Sequence, residues 1–67
     1  MRYDELSSQF KEKAKKLERD FVEQALAEMH VEESEALIEE MISERLANEL
    51  YDIEKDEFGK FNLVRLH

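Results

Sequence analysis

The sequence predicts an all-α protein: an antiparallel two-helix hairpin that self-associates, most simply as a dimeric four-helix bundle, with a short extended C-terminal tail. Three observations predict it. Proline is absent and the only glycine is Gly59, so no breaker interrupts a helix before that point. Glu, Lys, Ala, Leu and Met, all good helix formers, dominate from residue 3 to about residue 56. Apolar residues recur at steps of three and four along two separate segments.

The first helix is expected over about residues 3–30. Tyr3, Leu6, Phe10, Ala14, Leu17, Phe21, Ala25 and Met29 make its stripe, and Val22 and Leu26 widen it. Tyr3, Ala14 and Ala25 are eleven apart, as are Leu6 and Leu17, and Phe10 and Phe21. An eleven-residue period keeps such a seam nearly straight. The second helix is expected over about residues 35–56. Ile38, Ile42, Leu46, Leu50 and Ile53 share one face, with Leu37, Met41 and Tyr51 beside it. Glu49 falls inside that arc, one turn after Arg45, where the two can pair.

The alternative to a hairpin is one continuous rod. The two stripes are nearly in phase, but Glu28, Glu32, Glu35 and Glu39 would then occupy the seam between them. Burying a row of carboxylates costs far more than a turn does. A reversal over about residues 30–34 follows, with Ser34 capping the second helix and Glu35 favourably placed in its first turn. A two-helix sandwich leaves apolar flanks wet, and pairing two hairpins would cover them. The expected self-association residues on the first helix are Phe10, Leu17, Phe21, Val22 and Leu26. On the second they are Leu37, Met41, Ile42 and Leu46.

After Gly59, expected at a left-handed helix end, comes Lys60-Phe61-Asn62-Leu63-Val64-Arg65-Leu66-His67. This 58–67 tail reads as an extended apolar segment that needs a groove or a neighbouring strand. It either tucks across the open end of its own helices or docks on a partner by strand addition or groove filling. Phe58, Phe61, Leu63, Val64 and Leu66 are its expected contact residues.

The net charge is −8, unevenly placed: residues 1–22 carry +1, residues 23–57 carry −11 and residues 58–67 carry +2. The acidic middle repels nucleic acid and favours a protein partner with a basic surface. Glu39, Glu40 and Glu44 are its expected partner-facing carboxylates. The basic stretch Lys11, Lys13, Lys15, Lys16 and Arg19 is interleaved with Glu12, Glu18 and Asp20. Glu12–Lys16 and Arg19–Glu23 have helix-pair spacing. The stretch is expected to match Glu44, Glu49 and Asp52 across the hairpin rather than to bind DNA.

No cofactor and no metal site is expected. The chain has no cysteine and only two histidines, His30 and His67, so it offers neither a thiolate site nor a nucleophilic triad. Asp52, Glu54 and Asp56 alternate like a calcium loop, but position six is Glu57 and position twelve Leu63. Glu32-x-x-Glu35 followed by Glu49-x-x-Asp52 resembles the paired acidic motifs of the all-α nucleotide pyrophosphohydrolases. That resemblance implies carboxylates holding magnesium at a triphosphate, with Arg45 and Lys55 the only basic groups near. It covers four residues and stands as a minor alternative.

The first fifteen residues lack the apolar core of a signal peptide, and no run approaches the roughly 20 apolar residues of a membrane span. The expectation is a cytoplasmic, non-enzymatic regulator or inhibitor that dimerises through its helices and presents acidic faces or the 58–67 arm. A purely structural self-assembling helical module is the alternative.

Overall fold

The computed structural model describes residues 1–66; His67 lies outside them. After a 3-10 turn at Tyr3–Glu5 come α1 (Ser8–Glu28), α2 (Glu35–Asn48), β1 (Tyr51–Lys55) and β2 (Phe61–Arg65). The strands form an antiparallel two-stranded sheet. The chain is therefore α+β rather than all-α, and the four-helix-bundle expectation falls with that class.

The start of the expected first helix is broken. Tyr3–Glu5 is a single 3-10 turn, and Leu6 leaves it with extended backbone (φ −78°, ψ 150°). Ser7 then caps α1 by accepting from the Phe10 N–H at 3.4 Å. At the far end α1 stops in a Schellman motif. The His30 N–H reaches the Ala27 carbonyl at 3.2 Å, and the Val31 N–H reaches the Leu26 carbonyl at 3.0 Å. His30 takes the left-handed backbone this motif requires, with φ 56°. Ser34 caps α2, its hydroxyl accepting from the Leu37 N–H at 3.2 Å.

The largest correction lies beyond Asn48. Residues 49–56, expected as the end of a helix, leave α2 at Glu49 and become β1. Leu50 and Ile53 continue the three-and-four spacing of α2, but Tyr51 and Ile53 also alternate with Asp52 and Glu54. Alternation and helical spacing compete over so short a run. Pairing decides it, because the second apolar run, expected as a loose tail or arm, supplies the matching strand. Tyr51 lies opposite Arg65, Ile53 opposite Leu63 and Lys55 opposite Phe61. Asp52 and Glu54, on the other face, oppose Val64 and Asn62.

The turn between the strands has a clear local cause. The Gly59 N–H donates to the Asp56 carbonyl at 3.0 Å and the Asp56 N–H to the Lys60 carbonyl at 2.8 Å. That is a type I turn followed by a left-handed residue, and Gly59 fills the position with φ 79°. Its place is a hairpin turn, not a helix end. The Asp56 carboxylate accepts from the backbone N–H groups of Phe58 and Lys60, each at 2.9 Å, and from Asn62 Nδ2 at 3.2 Å. These donors, the Lys60 N–H foremost, hold its pKa below the ordinary carboxylate value.

The core is small: Leu6, Ala14, Val22, Leu26, Ile42, Leu46 and Tyr51. On α1 its deepest row is Ala14, Glu18, Val22 and Leu26, at steps of four. The stripe through Leu17 and Phe21 is rotated from that row, so Phe21 lies at its margin, 42% exposed. Val22, Leu26, Ile42 and Leu46, expected at a subunit interface, are buried within one chain. The longest dimension is 38 Å and the radius of gyration 13.1 Å, above the roughly 11 Å of a spherical domain this long.

The two left-handed residues make opposite predictions. His30→Gly should raise stability by about 0.5–1 kcal/mol, because a side chain there carries a strain that glycine lacks. Gly59→Ala should lower it by about 1 kcal/mol. Urea unfolding checks both, and equal midpoints for the two variants would contradict the assignment.

Candidate functional site

The structure gathers its chemistry around Glu18, which is fully buried. Burying a lone carboxylate is very costly, so it must be answered by donors, and three elements supply them. Arg45 of α2 donates from Nε to Oε1 at 2.7 Å. Arg65 of β2 donates from Nη1 to the same oxygen at 2.9 Å. Tyr51 of β1 donates from its hydroxyl to Oε2 at 2.7 Å. Arg45 also pairs with Glu49 at 3.1 Å, so the charges of the group balance.

Phe21, one position short of the buried row, closes the group from outside. The Arg45 and Arg65 guanidinium carbons lie 3.7 and 4.8 Å from its ring centroid. The exposed ring thus covers both cations, a favourable cation–π arrangement. Burial and the Glu18 hydrogen bond push the Tyr51 hydroxyl well above its ordinary pKa. No buried side-chain polar atom among the described residues lacks a partner. The cluster is saturated from within, and Glu18 offers no accessible oxygen to a substrate.

Sequence reasoning missed this centre, treating Glu18 as one of the acids between lysines. A signal was present: Glu18 falls in step with Ala14, Val22 and Leu26. Arg65, a cation within an apolar run, was the matching signal.

The other expected residues are dispersed. Glu39 pairs with Arg19, which also meets Glu35 at 2.9 Å and Glu23 at 3.3 Å. Arg19 is therefore matched to the start of α2, about a turn or more before the expected Glu44, Glu49 and Asp52. Lys15, rather than Lys16, pairs with Glu12, at 3.3 Å. Glu40 and Glu44 are exposed and enter no ion pair among the described residues. Phe10, Leu17 and Met41 are half-buried, and Leu37 is exposed. Phe21, Val22, Ala25, Met41, Glu44 and Arg45 help line an open groove of about 340 Å³ between the helices. In β2, Leu63 and Val64 are half-buried, while Phe61 is 54% and Leu66 43% exposed. Phe58 at the hairpin tip is 86% exposed.

The acidic pairs of the pyrophosphohydrolase resemblance are not brought together. Glu35 opens α2 and Glu49 closes it, about 20 Å apart at the rise of a helix. Among the described residues no group of three or more acidic or histidine side chains is placed to hold a metal. No helix among them is long and apolar enough to cross a membrane. The chain matches no protein-family model, no curated protein and no solved structure.

Two predictions test the cluster. Glu18→Gln should cost about 3 kcal/mol, because Arg65 loses its charge partner and Arg45 one of its two in a buried site. That is a large part of the roughly 3–10 kcal/mol available to a chain this long, and a loss below 1 kcal/mol in urea would refute the cluster's importance. Tyr51→Phe should cost about 1–2 kcal/mol near neutral pH. The folded phenol titrates above the unfolded one, so the benefit of Tyr51 is complete below the ordinary phenol pKa near 10 and is lost as pH rises beyond it. The gap in urea midpoint between wild type and Tyr51→Phe should therefore narrow above about pH 10. A constant gap would show that the phenol is not held this way.

Proposed function

We propose that the chain is a non-enzymatic regulator or inhibitor that acts by binding another protein, with the hairpin tip around Phe58 as its principal contact. The observation that carries this reading is Phe58 itself. It is the most exposed large apolar side chain, at 86%. The loop that holds it is not loose, because the Asp56 carboxylate accepts from the N–H groups of Phe58 itself and of Lys60. An aromatic side chain presented on a pre-ordered loop loses little conformational freedom on docking, and such residues often dominate binding energy. Phe61, at 54% exposure, adds apolar area in the same hairpin.

The charge pattern favours a partner with a basic surface. Glu40 and Glu44 remain uncommitted among the ion pairs of the described residues, and residues 23–57 carry −11. Such a field speeds encounter more than it deepens affinity. The saturation of the Glu18 group supports a role outside catalysis. Cytoplasmic residence belongs to the same proposal and is supported by a chain without cysteine.

The test is affinity capture from an extract of the native host, with wild type, Phe58→Ser and a Glu40→Lys/Glu44→Lys double variant in parallel. A protein held by wild type should be lost on Phe58→Ser, while the circular dichroism spectrum stays the same. The double variant should retain it with a slower association rate. Equal recovery on all three baits would remove the tip from the mechanism. Deleting residues 58–67 would be a poor test, because it removes Arg65 from Glu18 and the partner strand from β1.

A further inference from the structure

The two edges of the hairpin are treated differently, and the difference names a partner. The Leu66 N–H donates to the Leu50 carbonyl at 2.9 Å and the Asp56 N–H to the Lys60 carbonyl at 2.8 Å. Antiparallel pairs alternate between bonded and non-bonded. With the observed register, Asp52/Val64 and Glu54/Asn62 are then the bonded pairs. The backbone groups of Tyr51, Ile53 and Lys55 point away from the sheet on one side, and those of Phe61, Leu63 and Arg65 on the other.

On the β1 side the start of this edge is guarded. The Tyr51 N–H donates to the Met1 carbonyl, and the Tyr51 carbonyl accepts from the Met1 nitrogen. The Ile53 N–H turns onto its neighbour's carboxylate, Asp52 Oδ1, at 2.9 Å. On the β2 side nothing equivalent occurs. Among the described residues, no backbone or side-chain group bonds the outward N–H or C=O of Phe61, Leu63 or Arg65. Proline, a bulge and a lysine, common protections of an edge, are missing from Phe61–Arg65, and its one charged side chain, Arg65, is turned inward and neutralised by Glu18.

We propose that the β2 edge is the dimer interface of this protein, pairing antiparallel with β2 of a second copy about a two-fold axis at Leu63. In that register Leu63 faces Leu63 of the second copy, and Phe61 faces Arg65 in both directions. All the outward groups of both strands are then bonded, with none left over. The result is a continuous four-stranded sheet in the order β1-β2-β2-β1.

Charge selects a second copy as the occupant. Two chains of −8 each repel, and they approach most easily through a segment without acids. Residues 58–66 are such a segment, holding Lys60 and Arg65 and no carboxylate. In the proposed register neither cation lies opposite another: Lys60 faces Leu66, and Arg65 faces Phe61. Like charges directly opposite would destabilise the pair, and an aromatic opposite a cation does not. The pairing also leaves both Phe58 tips uncovered, at opposite ends of the joined sheet. The proposal does not rest on the tip's having a partner.

Light scattering should give twice the 8.0 kDa chain mass at high protein concentration. A synthetic chain with N-methyl-Leu63 loses one outward N–H and keeps every side chain and every β1–β2 bond. It should elute as a monomer, with the circular dichroism spectrum and the Phe58-dependent capture of the parent. Isotope-filtered nuclear Overhauser spectra of the unmodified chain provide a second readout that does not depend on any variant folding. They should show Asn62 α-proton contacts to the Val64 α-proton of the other copy. A wild-type monomer up to millimolar concentration would overturn the proposal. So would a dimer that survives N-methylation, or one whose intermolecular contacts join helix residues instead.

Discussion

The sheet of this protein depends on one buried carboxylate. A two-stranded hairpin is barely stable by itself in water, and only Tyr51 among its side chains is fully buried. What anchors it is that both strands reach Glu18 from different sides, Tyr51 at one oxygen and Arg65 at the other. Arg45 draws the end of α2 to the same point. Four elements therefore meet on two oxygen atoms. A buried ion pair is weak evidence of extra stability, since an apolar group of the same shape can serve as well. Its stronger effect here is on arrangement. A carboxylate in the row Ala14-Glu18-Val22-Leu26 tolerates only packings that bring it donors. A slipped strand register would replace Arg65 by a neighbour with none to give.

How much of this was legible follows from the range of each interaction. The cap at Ser34 and the apolar periods within α1 and α2 are local, and they could be read directly. The left-handed position of Gly59 was also readable, but its setting was not. The stretch Asp56-Glu57-Phe58-Gly59 satisfies a type I turn with a glycine after it, yet the same glycine suits the end of a helix. What separates the two is the presence of pairing strands on both sides, and that is a non-local fact. Leu50 and Ile53 fit the face of α2 well enough to hide β1. The phase of the α1 stripe failed for a related reason. Phe21 looks like core and Glu18 like surface by residue type, but an aromatic ring stacked on two arginines belongs at the margin. The carboxylate those arginines serve belongs inside.

The charge distribution separates the surface into regions with different uses. The acids of residues 23–57 surround α2 and β1, and Arg19 gathers Glu23, Glu35 and Glu39 to hold the helices together at their closed end. The stretch from Phe58 to Leu66 carries no acid and holds the most exposed phenylalanines, Phe58 and Phe61. Apolar contact and main-chain pairing are thus concentrated where repulsion between copies is weakest. The acidic remainder keeps helix faces apart and guides approach. A dimer through α2 would instead bring together two surfaces that each hold Glu35, Glu39, Glu40 and Glu44 against Arg45 alone.

The two properties of β2 depend on the same residue. Arg65 is fixed at its side chain by Glu18, while its backbone groups face the open edge. An edge strand that must order itself before pairing loses much of the gain to conformational entropy. Here the ordering is already complete in the single chain, because the salt bridge holds one end of β2 and the Asp56 turn holds the other. The interior carboxylate therefore acts at a distance on whatever pairs with the edge, without touching it. Weakening Glu18 would loosen the strand before it unfolded the helices, since α1 and α2 keep Val22, Leu26, Ile42 and Leu46 between them. Association through β2 should accordingly be more sensitive to the Glu18 cluster than helix content is, and that ordering follows from which contacts each element has in reserve.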